Sequence, residues 1–202
     1  MMSQNFPIHK IEIPEAVELA SYSGFFQDLT FTCDTFRYLL DNFDQLDTLL
    51  QKSLWSTALI SYARCFAHGR RLQLTPSIYD GLEGDPHGCH EYIIGMRNKH
   101  IAHSVNPFEE ISAGAVLIND QVEGIATIAV SHFVGDKAGV ENLYRLTIFA
   151  REFVAKKCRE LQDKCLIAAK QIPVETIKQG ADLRYVAPSP EAVNQVRGRN
   201  NS

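Results

Sequence analysis

Apolar residues recur along this chain with a helical period in four stretches and with a different rhythm in one. From Asp28 onward, Leu29, Phe36, Leu39, Phe43, Leu46 and Leu50 follow one another at spacings of seven, three and four, which places them on one face of a long first helix. No Gly or Pro lies between Leu40 and Ser53, so the pattern leaves open whether that helix runs on or bends near Asn42–Asp47. Ser53 is suited to cap a second helix whose stripe is Trp55, Ala58, Leu59, Tyr62 and Phe66 and which stops at Gly69. The two are expected to pack antiparallel. Between Arg70 and Gly84, Pro, Gly and Asp mixed with scattered apolars predict a loop folded against the surface. Asp85 followed by Pro86 then opens a third helix: the carboxylate can accept the orphan N–H groups, and a proline in the first turn loses no hydrogen bond. It is expected to run to around His103, because Pro107 disfavours helical backbone at Asn106. From about Lys137 a fourth helix carries Val140, Leu143, Thr147, Ala150, Val154, Leu161, Cys165 and Ala168, with Cys158 in register. Leu146, Phe149 and Phe153 widen that stripe, so one flank is expected to cover the bundle and another to meet a second subunit.

The different rhythm lies in residues 112–136. Short runs rich in β-branched residues flank the turn-prone Asn119-Asp120-Gln121, which predicts a β-hairpin over about 112–134, inserted between helices three and four. Residues 1–27, with Pro7, Pro14 and Gly24, read as an extended N-terminal arm with a short helix starting at Pro14. After Pro173 the periodicity is lost, and 173–202 read as a flexible, weakly basic tail. The expected fold is therefore mainly α: an antiparallel four-helix bundle over 28–172 with an inserted hairpin.

Composition narrows the classes. The chain is 45% hydrophobic and 22% charged, and 20 Lys and Arg against 24 Asp and Glu give a formal charge of −4. No global basic field draws in nucleic acid, so any such contact must be local. Five cysteines without a C-x-x-C pair fit free thiols in a reducing, cytoplasmic compartment better than a disulfide framework. Acids and prolines interrupt the N-terminus where a signal peptide needs an apolar run, and no stretch offers 18 apolar residues, so no membrane association is expected.

The signatures of P-loop and dinucleotide binding, of H-E-x-x-H metalloproteases and of G-x-S-x-G hydrolases are absent. His87 and His90, one turn apart with Cys89 between them, would make half a metal site. A structural zinc needs four ligands and no second pair is evident, so the preferred reading is polar residues on an exposed first turn, with no metal and no cofactor expected. Arg70 and Arg71 with His68 read either as a nucleic-acid patch or as basic residues that suit a helix C-terminus.

The densest chemistry lies in Arg97-Asn98-Lys99-His100-Ile101-Ala102-His103. A fixed planar cation, an amide, an ammonium group and two imidazoles that titrate near neutrality form an inventory suited to phosphate. The same side chains can equally satisfy the last carbonyls of a helix or pair with nearby acids without doing chemistry. Arg97, a polar residue after it and His103 five residues further on resemble the R-polar-x4-H motif of the HEPN superfamily of helical nucleotide-binding proteins, and the flanking Met96–Ser104 is similar to its abortive-infection branch.

The resemblance implies an antiparallel helical bundle with the motif late in its third helix. It also implies a metal-independent endoribonuclease, a toxin or phage-defence effector, acting as a homodimer with RNA as substrate and an antitoxin or defence-system protein as further partner. His103 would be the acid or base, Arg97 the phosphate clamp and Asn98 the group that orients a ring or the phosphate. His100 would be a second catalytic group or a neighbour, and Lys99 and Arg64 would contact the substrate. On a straight helix Arg97 and His103 stand about 120° apart around the axis, so they converge only if the helix frays or a second subunit supplies the partner. A non-catalytic HEPN-like module that binds RNA, a nucleotide or a protein is the alternative of a different class.

Overall fold

The computed structural model describes residues 7–67, 72–101, 109–131, 135–183 and 190–191. Of these residues 66% are helical, and the one sheet among them is a two-stranded antiparallel hairpin between the third and fourth helices. The helices are α1 (Pro14–Asp41), α2 (Thr48–Phe66), α3 (Pro86–Met96), α4 (Lys137–Ala169) and the short α5 (Val174–Gln179). A 3-10 turn, Pro76–Tyr79, precedes α3, and a π-helical turn, Arg97–Ile101, follows it.

α1 is a single 28-residue helix with Pro14 in its first turn, so the expected break between an arm and a helix starting at Asp28 does not exist. The expectation began one apolar contact too late: Phe25 is buried beside Leu29, Cys33, Phe36 and Leu39 on the same face. The helix stops at Asn42, whose backbone N–H and side-chain amide both return to the carbonyl of Tyr38. Phe43 and Leu46 still pack against the core from the turn that follows, whereas Leu50, expected on the same stripe, is exposed. Asp47, not Ser53, caps α2, its carboxylate accepting from the Leu50 N–H at 2.8 Å. Ser53 lies inside the helix and donates to the Leu49 carbonyl. The expected stop at Gly69 lies outside the described residues, as do His68, Arg70 and Arg71.

Five pairings fix the direction of packing. Arg64 near the end of α2 reaches Asp28 and the Cys65 thiol reaches the Phe25 carbonyl, so α2 runs antiparallel to α1. Arg37–Tyr144, Cys33–Thr147 and Glu18–Lys157 run in opposite order along α1 and α4, which makes that pair antiparallel as well. Between them Trp55, Leu59, Tyr62, Ile93, Val140, Ala150 and Val154 form one core. The stripe expected for α2 is buried throughout, and that of α4 is buried except for the half-buried Cys158 and Ala168, with Leu146 joining it, because both helices are long and uninterrupted.

The hairpin, β1 (Glu109–Ile118) and β2 (Gln121–Ser131), turns at Asn119-Asp120. Their φ of 51° and 64° belong to the left-handed region that a two-residue turn of matching twist demands and that Asn and Asp tolerate. Its extensive contacts are between its own strands. Ile111 and Ile125, on one face with Ala113 and Ala115, are each about three-quarters exposed.

The chain after α4 is not simply a loose tail. α5 follows Pro173, and Lys10 N–H donates to the Ala181 carbonyl at 2.8 Å while Leu183 N–H donates to the Ile8 carbonyl at 2.7 Å. A bridge at His9 and Asp182 thus ties the segment before α1 to the segment after α5. Among the described residues no helix is long and apolar enough to cross a membrane.

Candidate functional site

α3 begins as its first residues predict: Asp85 accepts from the Gly88 N–H at 2.8 Å and Pro86 occupies the first turn. Its core face is His90, Ile93 and Met96. Lys99 and His100 come next in the helical register and supply no apolar group, so the next residue able to reach the core is Ile101, which packs against it. On an α-helix, positions five apart point about 140° away from each other. A π turn takes one residue more to come round. It therefore lets Met96 and Ile101 share the core side, with Asn98 and Lys99 exposed on the widened outer arc. This explains why the helix changes type at Arg97, a departure from the regular helix expected through to His103.

On that turn the Arg97 guanidinium donates from Nη1 to the Asn98 Oδ1 at 2.8 Å. Arg97 is half-buried, Asn98 and Lys99 are exposed, and among the described residues no carboxylate pairs with Arg97. The backbone of His100 belongs to the same turn. His103 lies outside the described residues. Arg64 is held elsewhere, on α2, in an ion pair with Asp28 of α1 at 3.5 Å. Of the sequence-predicted group, Arg97, Asn98 and Lys99 thus lie on one turn, which the backbone of His100 shares.

A second polar constellation lies at the other end of α3. His90 is buried, not part of an exposed first turn, and its Nδ1 lies 2.8 Å from the Tyr62 hydroxyl, which lies 2.7 Å from the Tyr79 hydroxyl. The Phe66 ring stands edge-on to the imidazole, centroids 4.6 Å apart. His87 pairs with Asp80 through its Nε2 at 3.0 Å, and among the described residues no group of three or more His, Cys, Asp or Glu side chains is placed to hold a metal ion. Counting protons orders the chain. Both tyrosines are fully buried, and burial raises their pKa values, so each carries one O–H that needs an acceptor. If Tyr79 donates to Tyr62 and Tyr62 donates to Nδ1, both are satisfied; the opposite direction strands the Tyr79 proton. His90 then carries its own proton on Nε2. Burial, with His87 next, lowers the pKa of His90, so the ring is neutral at pH 7.

Comparison of the chain with protein-family models, with curated proteins and with solved structures finds no match.

His90 also lines a cleft of about 350 Å³ with His87, Glu91, Ile94, Gly95 and Pro76. Among the described residues the His90 ring makes its one hydrogen bond through Nδ1, which leaves Nε2 as the polar atom the ring can offer to the cleft it lines. The floor is a buried hydrogen-bond relay, the rim is a carboxylate, and the stripe His87, Glu91, Ile94 leads at helical spacing to Asn98 and Arg97. The signals for this arrangement were two: His90, Ile93 and Met96 at a spacing of three, which sets His90 on the apolar face, and a tyrosine inside the α2 stripe whose hydroxyl needs a buried partner.

Proposed function

We propose that this protein is a metal-independent endoribonuclease of HEPN type, a toxin or phage-defence effector, in which the π turn after α3 holds the scissile phosphate. The observation that carries the reading is the Arg97–Asn98 pair. A guanidinium with no carboxylate among the described residues to neutralise it, steadied by a neighbouring amide and flanked by Lys99 at the surface, presents a planar fork of donors suited to phosphate oxygens. Asn98 in this reading positions Arg97 and leaves its own N–H groups to the substrate. The four long helices with this turn at the end of the third support the architecture that the resemblance implies, with α5 an addition.

The chemistry needs little else. The 2′-OH of RNA gives its proton to one imidazole, the 2′-oxygen attacks phosphorus, and the bond to the 5′-oxygen breaks as that oxygen takes a proton from a second imidazole. Arg97 neutralises the charge that grows on the phosphate. His103 and His100 are the two imidazoles available on this segment, within one chain or across a homodimer. The test is cleavage of a uniformly labelled RNA by the purified protein in the presence of EDTA. The expected product carries a 2′,3′-cyclic phosphate, and Arg97→Ala and His103→Ala each reduce the rate at least a hundredfold. Binding of RNA without turnover by the wild type, or cleavage unchanged in both variants, refutes the proposal.

A further inference from the structure

The cleft on α3 precedes the proposed phosphate site along the helix, and beside His87, which is paired with Asp80, it is lined by two chemically opposite groups. His90 Nε2–H is a donor fixed in place by the Tyr79–Tyr62 relay behind it, and Glu91 at the rim is an acceptor with two oxygens. Ile94, Pro76 and Gly95 supply apolar or flat wall between and around them. A volume of about 350 Å³ falls at the lower end of the range for small-molecule pockets, roughly 300–1,000 Å³. An anion is a poor occupant, because Glu91 lines the cleft and Asp80 is bound to His87 at its mouth.

We propose that this cleft is a nucleobase subsite that selects guanine. The proposal rests on the RNA-cleavage reading for its substrate class. Guanine alone among the four bases presents a carbonyl acceptor, O6, beside two adjacent N–H donors, N1 and N2. Nε2–H meets O6, and the Glu91 carboxylate accepts from N1–H and N2–H together. Adenine and cytosine can offer Nε2–H a ring nitrogen and Glu91 one amino N–H, a single bond to the carboxylate where guanine makes two, and uracil sets its second carbonyl against Glu91 beside its one N–H. Unpaired bases are read on this edge in single-stranded RNA. From Glu91 to Asn98 is seven residues, roughly 10 Å along the helix. A strand whose phosphate lies at Arg97 can therefore lay an adjoining base in the cleft.

The relay gives the subsite its selectivity. The proton on Nε2 is there because Tyr62 occupies Nδ1, so the donor facing O6 is set by groups that touch no substrate. Tyr62 and Tyr79 are positioning residues in this scheme.

Titration of the full chain with GMP, AMP, CMP and UMP by calorimetry tests it, with the imidazole nitrogens of His90 followed by NMR. The expected result is GMP binding at least tenfold tighter than AMP, a shift of the Nε2 resonance on GMP addition, and a GMP-to-AMP ratio near one in Glu91→Gln. Ile94→Trp, which fills the cleft from a half-buried position on its wall, abolishes GMP binding while the urea midpoint stays that of a folded protein. Equal binding of the four nucleotides, no binding at millimolar concentration, or a GMP preference that survives Glu91→Gln each overturns the subsite. RNA cleavage without guanine preference likewise removes this proposal and leaves the nuclease reading standing. GMP selectivity lost in Glu91→Gln, in a protein that does not cut RNA, keeps the subsite and removes the cleavage.

Discussion

Replacing Tyr62 by Phe probes the buried relay directly. The hydroxyl removed is fully enclosed and makes two hydrogen bonds, 2.7 Å to Tyr79 and 2.8 Å to His90, and no water can enter in its place without opening the core. The ring itself continues to pack against Phe66, so the loss is polar and not a cavity of any size. Two groups are stranded, the Tyr79 O–H and the His90 Nδ1, and each buried unsatisfied group costs about 1–3 kcal/mol. The sum is about 2–6 kcal/mol, or a fall in Tm of roughly 4–24 °C for a chain of this size. The assay is urea unfolding followed by the fluorescence of Trp55, the single tryptophan and 2% exposed, which reports opening of the same core. Tyr79→Phe discriminates the direction of the chain. With Tyr79 donating to Tyr62, its loss leaves every remaining donor paired and costs about 1 kcal/mol. A Tyr79→Phe penalty equal to or larger than that of Tyr62→Phe refutes the assigned direction, and with it the proton on Nε2. A Tyr62→Phe penalty below about 0.5 kcal/mol refutes the relay as a structural element.

Burial holds the pKa of His90 below its ordinary 6.5, so as pH falls through that value the unfolded chain takes up the proton first and the folded state loses stability. His90→Gln lacks this contribution, and urea midpoints of the two proteins should draw closer together from pH 7.5 down to pH 5; a constant gap contradicts the assignment. Asp85→Ala removes the carboxylate that accepts from Gly88 N–H and should cost about 1 kcal/mol, measured by the same unfolding curves, with no loss expected at Ser53→Ala beyond about 0.5 kcal/mol. Lysines at Ile111 and Ile125 fall on an exposed strand face and should leave core stability within about 0.5 kcal/mol while reducing concentration-dependent light scattering. A loss above 1 kcal/mol there would mean that the hairpin packs on the helices.

The sequence was most legible where one rule acted alone. The stripes of α2 and α4, the Asp85-Pro86 start and the Asn119-Asp120 turn all follow from local pattern, and each stands where that pattern puts it. It was least legible where two elements had to agree. Asp47 and Ser53 are both good caps; Asp47 wins because the chain must turn directly after Asn42 for Phe43 and Leu46 to reach the core. The π turn carries no Gly or Pro to announce it, and its cause, the apolar gap between Met96 and Ile101, has meaning only once the core lies beneath both. Tyr62 and His90 are 28 residues apart, and His90 invited pairing with its neighbour His87 when its partner lay on another helix. The strap between Ile8–Lys10 and Ala181–Leu183 joins segments that each look structureless by themselves.

The hairpin has one more consequence. Its first and last residues, Glu109 and Ser131, face each other across the ladder, so the chain leaves and re-enters at points roughly 5 Å apart. A graft cut at those two positions removes 23 residues from Glu109 to Ser131 and asks the remainder to bridge only a tight turn. The two facing ends thus make a socket for a foreign ladder, an epitope or a fluorescent reporter.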